Sequence, residues 1–113
     1  MSLALTYVAA SVAGFYALWV LYLAVMNLSR AKKAGTLSTT ALILGTPVLI
    51  VGYLLDCLVN VFVMTLVLIE LPQELTVTAR LKRHHAESSG WRLAVVLWFE
   101  PILDPFDPSG NHI

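Results

Sequence analysis

Two long apolar runs separated by a short basic stretch dominate the chain. From Leu3 to Leu28 no side chain is charged at neutral pH, and Thr39 to Ile69 repeats the pattern with one exception, Asp56. A helix needs about 20 apolar residues to cross roughly 30 Å of hydrocarbon, so each run is long enough to span a bilayer. A cleaved leader is the competing reading of the first run. It lacks a positive segment ahead of it, and 26 residues exceed the apolar region of such leaders. After residue 69 the long runs stop, and the one further apolar run, Trp91 to Phe99 with Arg92 near its start, is too short to cross. The pattern predicts an all-α membrane protein: a two-helix transmembrane hairpin (3–28 and 39–69) joined by a basic loop (29–38). Residues 70–113 then form a membrane-surface, amphipathic tail with a short interfacial segment at 91–99.

Composition agrees with that reading. Of 113 residues 58% are apolar and 12% charged, against about 45–50% and about 25% in soluble domains. Seven cationic side chains balance seven anionic ones, so no charge excess points to nucleic acid, and the length leaves no room for a separate catalytic domain. One cysteine, Cys57, excludes an intrachain disulfide.

Within the first run Ala9, Ala13 and Ala17, and likewise Ala10 and Gly14, recur every four residues, a spacing that lets a second helix approach closely. This marks Ala10, Ala13, Gly14 and Ala17 as interface candidates, with the second span as their natural partner. In that span Pro47 is expected to kink the helix. Asp56 is costly at mid-span, about 2.5–3.5 kcal/mol on insertion scales, but fourteen Leu, Ile, Val and Phe residues between Val48 and Leu68 offset it. Thr46, Tyr53 and Asn60 repeat every seven residues, with Leu49, Asp56 and Val63 interleaved, a stripe of coiled-coil character. Hydrocarbon would leave Thr46, Tyr53, Asp56 and Asn60 unsatisfied, so the stripe is read as an oligomer interface, water path or partner groove. The alternative is a hydrogen bond from Asp56 to Tyr53, Asn60 or a first-span hydroxyl within one hairpin.

Two basic clusters flank the spans: Arg30, Lys32 and Lys33 in the loop, and Arg80, Lys82 and Arg83 in the tail. Both are assigned to lipid headgroups. Counted alone they balance, but the first span has cations only after it, which favours a cytoplasmic loop with both termini outside. Glu70-Leu71-Pro72 ends the second span, a short helix is expected to begin near Leu75, and Glu100-Pro101 ends the interfacial segment. His84-His85 and Asp104/Asp107 invite metal proposals, but neither spacing completes a ligand set. No glycine-rich phosphate loop, Ser-His-Asp spacing or metal motif occurs. No catalytic residue, cofactor, metal, nucleic acid or small-molecule substrate is therefore expected. The expected partners are the bilayer and either further copies of the chain or another membrane protein.

The C-terminal third carries the segments Glu70-Leu71-Pro72-x-Glu74, Thr78-Ala79-Arg80-Leu81-x-Arg83-His84, Gly90-Trp91-Arg92 and Leu103-Asp104-Pro105-Phe106-Asp107-Pro108-Ser109-Gly110. In these it resembles small integral membrane proteins of tailed bacteriophages and prophages. The resemblance implies a phage gene and a bacterial (host) inner membrane, and assigns no residue roles. Two functions follow as expectations. One is holin-like, acting in host lysis by oligomerising in that membrane. The other is a non-lytic protein that docks onto a host or phage membrane complex in superinfection exclusion, assembly or as an accessory subunit.

Overall fold

The computed structural model describes residues 2–113, and these are helical with no strand among them. The order is α1 (Leu3–Lys33), α2 (Thr39–Val59), a π-helical turn (Asn60–Met64), α3 (Thr65–Leu68), α4 (Val77–Glu87), α5 (Trp91–Leu103) and a 3₁₀ turn (Asp104–Phe106). Two continuous helical stretches, Leu3–Lys33 and Thr39–Leu68, are long and apolar enough to cross a membrane.

Helix starts are set by hydroxyl caps. Ser2 accepts from the Leu5 amide, Ser38 from Ala41 and Thr76 from Ala79, at 3.1, 3.1 and 3.2 Å, each satisfying a donor that has no partner within its helix. The end of α1 differs from expectation: it runs through the basic cluster to Lys33, so the connection shrinks from 29–38 to Ala34–Ser38. Arg30, Lys32 and Lys33 occupy the last turn, where cations favour the helix dipole. Gly35, at φ 72°, then closes the helix, its amide bonding the Lys32 carbonyl while that of Thr36 bonds Ala31.

The hairpin seam is built on positions other than those expected. In α2 it consists of Gly45, Gly52 and Val59, and in α1 of Leu28, Leu21 and Gly14. A Cβ on Gly45 would lie 2.9 Å from Leu28, one on Gly52 3.7 Å from Leu21, and one on Gly14 3.7 Å from Val59. Each pairing steps by seven residues in both helices, the period of a left-handed antiparallel coil. At each level a glycine on one helix receives a larger side chain from the other. Ala10, Ala13 and Ala17 lie exposed, and of the four small residues only Gly14 meets α2. Pro47 does not end α2, which continues to Val59.

The tail is folded against the hairpin, with α4 and α5 packed on one another. Val77, Leu81, Val96 and Ile113 join Val59, Met64 and Leu68 in one buried cluster. The expected segment 91–99 is longer than foreseen, since α5 passes through Pro101 to Leu103. Proline there falls in the last turn, where its missing N–H removes only one helical bond. Phe99 packs on Phe15 and Phe106 edge-on to Trp19, with ring centroids 6.0 and 6.3 Å apart, so α5 and the 3₁₀ turn after it each set one ring against α1.

Candidate functional site

Polar groups of α2 and of the π-helical turn after it meet the tail. A π-helical turn carries one more residue per turn than an α-helix and is a recurrent feature of functional sites. At Asn60–Met64 the Asn60 carbonyl is taken by the Arg80 guanidinium, whose Nη1 donates to it at 2.8 Å and to Asn60 Oδ1 at 3.2 Å. The Asn60 amide in turn donates to the Glu74 carbonyl at 2.6 Å. Arg80 also donates through Nη2 to the Glu70 carbonyl (2.6 Å) and through Nε to Glu70 Oε1 (3.1 Å). It is 0% exposed, and a charge so buried is tolerable because its donors are met by carbonyls and a carboxylate.

Glu70 is the centre of the cluster. Its Oε1 receives Arg80, Arg83 Nη2 (2.7 Å) and His84 Nε2 (2.6 Å), while Arg83 also pairs with Glu74. Burial raises the Glu70 pKa, but hydrogen bonds from His84, Arg83 and Arg80 outweigh it and lower it to about 2. The Arg83 pKa is raised, chiefly by its hydrogen bond to Glu74.

Asp56 sits one turn before Asn60 and caps the tail helix from outside. Its Oδ1 accepts the Val77 amide at 2.7 Å, an otherwise unpaired donor at the positive end of α4. Near it the chain end is tied down. Thr78 and His112 are joined at 2.9 Å, His112 Nδ1 meets Asp107 Oδ2 at 2.9 Å, and Asp104 accepts the amides of His112 and Ile113. The Asp107 pKa is lowered to about 2, first by its hydrogen bond with His112.

The anticipated stripe therefore divides. Asp56 and Asn60 hold the tail, whereas Thr46 and Tyr53 stay exposed on α2, Thr46 bonding only its own helix at Leu42. Asp56 bonds a tail amide, rather than Tyr53, Asn60 or a first-span hydroxyl. The basic clusters divide too. Lys32, Lys33 and Lys82 are exposed, and Arg30 reaches the Phe106 carbonyl at 3.2 Å. Arg80 and Arg83, expected at lipid headgroups, are held by Glu70 and Glu74, because two carboxylates only six to thirteen residues earlier outcompete solvent. Glu70 and Glu74 are not read from the sequence as partners of the basic cluster, and His84, weighed there only for a metal, pairs instead with Glu70. Their signal was the pair of acids ahead of Arg80, Arg83 and His84, which share one helical face.

A cleft of about 810 Å³ separates α1 from α5, with apolar walls and Asp56 at its floor. A smaller one, about 370 Å³, lies between α1 and α2 and shares Leu18, Tyr22, Asp56 and Thr78 with the first. Among the described residues no group of three or more His, Cys, Asp or Glu side chains is placed to hold a metal ion. No family model, curated protein or solved structure matches the chain.

Proposed function

We propose that the chain is a small integral membrane protein of phage type that crosses the bacterial inner membrane twice and self-associates there, acting in lysis in the manner of a holin. One observation carries this reading. The hairpin closes through Gly45, Gly52, Val59 and their partners, so two other interface patterns remain on the outside. These are the small-residue face Ala10-Ala13-Ala17 of α1 and the Thr46-Tyr53 stripe of α2, both exposed. In lipid, small faces allow close helix approach and an exposed phenol on an apolar flank gains from a polar partner. A second copy supplies both. The loop Ala34–Ser38, beside Lys32 and Lys33, is placed in the cytoplasm on the charge asymmetry around the first span.

The test is inducible expression in a bacterial host together with a cytoplasmic endolysin. Expected is an abrupt collapse of membrane potential with endolysin release, delayed in a Tyr53→Leu, Ala13→Leu double variant that still reaches the membrane. Normal growth at high membrane levels would overturn the lytic reading. A second reading, non-lytic docking on a membrane complex, draws on the pinned chain end, where Asp104 and Asp107 hold His112 and Ile113 in a defined turn. Normal growth with specific capture of one membrane complex, lost on removing 104–113, is its expected result.

A further inference from the structure

The α1–α5 cleft has a chemistry that neither lysis nor docking uses. We propose that it binds a lipophilic monovalent cation, a hydrophobic ammonium or phosphonium ion, with Asp56 as the counter-charge. Its volume, about 810 Å³, lies in the range of about 300–1,000 Å³ usual for small-molecule sites. Six rings stand in its walls: Phe15, Tyr16, Trp19 and Tyr22 from α1, Trp98 and Phe99 from α5. Aromatic faces carry negative potential and attract cations, most strongly where water is excluded.

Asp56 decides between a cation and a neutral lipid. One of its oxygens accepts the Val77 amide, and the other has no protein donor among the described residues. Its possible counter-ions are engaged elsewhere. Arg80 and Arg83 are committed to Glu70 and Glu74, and His112 lies between Thr78 and Asp107. An apolar, aromatic site with one carboxylate oxygen free of any protein donor among the described residues is complementary to a single positive charge on an apolar body. A small hydrated metal ion would exchange its water for hydrocarbon walls and find too few oxygens. Entry is lateral, because Val12, Tyr16 and Trp98 at the rim are exposed on the flanks of α1 and α5.

Two wall residues, Trp19 and Trp98, report occupancy by fluorescence. The full-length chain in an uncharged maltoside detergent is titrated with tetraphenylphosphonium and, separately, with uncharged triphenylphosphine oxide. Expected is saturable tryptophan quenching by the cation and at least tenfold weaker binding of the uncharged compound. Asp56→Asn, which keeps an oxygen for the Val77 amide, is expected to weaken the cation at least tenfold and leave the uncharged compound unchanged. Trp98→Leu, on an exposed wall, is expected to weaken the cation severalfold. Equal binding of the two compounds, or a folded Asp56→Asn protein that binds the cation like the parent, would overturn the proposal. Should Asp56→Asn not fold, the charged-versus-uncharged comparison on the parent and on Trp98→Leu decides alone. Neither result depends on lysis, so the two proposals fail separately.

Discussion

Ile69 is a β-branched residue held in the left-handed region, at φ 51° and ψ 52°, where the chain leaves α3. Such a residue costs of order 1–2 kcal/mol in that conformation, and what holds it is Arg92, which donates to the Leu68 and Ile69 carbonyls at 2.9 and 3.2 Å. The side chain is 74% exposed, so it contributes little packing. Ile69→Gly is therefore expected to stabilise the folded tail by about 1 kcal/mol, read as a higher midpoint of thermal unfolding in detergent. An unchanged or lower midpoint would mean that the conformation carries no strain. Arg80 presents the opposite case. Arg80→Met leaves the Asn60 and Glu70 carbonyls without their donor and takes one of three partners from the Glu70 carboxylate, at an expected cost of about 3–5 kcal/mol. Adding Glu70→Leu to it should deepen the loss, since Arg83 Nη2 and the buried His84 Nε2 then lose their shared acceptor. A double variant as stable as Arg80→Met would show that the Arg83 and His84 contacts to Glu70 contribute nothing.

At the scale of elements, the two apolar helices and their order were legible from hydropathy, because a run without charges has few other solutions. The contact faces were less so. A seven-residue repeat was visible in α2, but two repeats one residue apart compete there, Gly45-Gly52-Val59 and Thr46-Tyr53-Asn60. Polar groups mark the second, while closeness of approach selects the first: only glycine at 45 lets Leu28 seat against the backbone, and the small residue at 52 leaves ordinary contact for Leu21 and Val25. The tail was read as a surface segment because the partners of Arg80, Arg83 and Asp56 are long-range. Nothing local shows that a π-turn frees a carbonyl for an arginine twenty residues later. Gly52 tests the seam. Its Cβ position has ordinary van der Waals room at 3.7 Å from Leu21, so Gly52→Ala should be near neutral. Gly52→Leu has no such room and should separate the helices. A cross-link between engineered cysteines flanking the seam is expected to form in the alanine variant and fail in the leucine variant. Equal cross-linking in both would place the seam elsewhere.

For the molecule as a whole, the described residues form two parts: an apolar hairpin whose seam contains no titratable group, and a tail that packs on it through Val77, Leu81, Val96 and Ile113 and is braced internally by ion pairs. Glu70 and Asp107 are the members of those pairs that pH reaches. The Glu70 pKa is 4.5 ordinarily and about 2 in the fold, with burial opposing ionisation and hydrogen bonds from His84, Arg83 and Arg80 prevailing. The Asp107 pKa falls from 3.8 to about 2, through its hydrogen bond with His112 above all. Both folded values lie below the unfolded ones, so each carboxylate contributes stability that is complete above its ordinary pKa. That stability is lost as pH falls towards about 2. Acidification from about pH 4.5 to 2 should thus loosen α4 and residues 104–113 while α1 and α2 stay paired. Hydrogen exchange in detergent should show protection fading over that window in Val77–Glu87 and 104–113, and persisting in α1 and α2. Glu70→Gln cannot ionise, so its α4 should be less protected at neutral pH and nearly insensitive to acid through the same window. Loss of protection in all helices at one pH would show instead that hairpin and tail form a single cooperative unit.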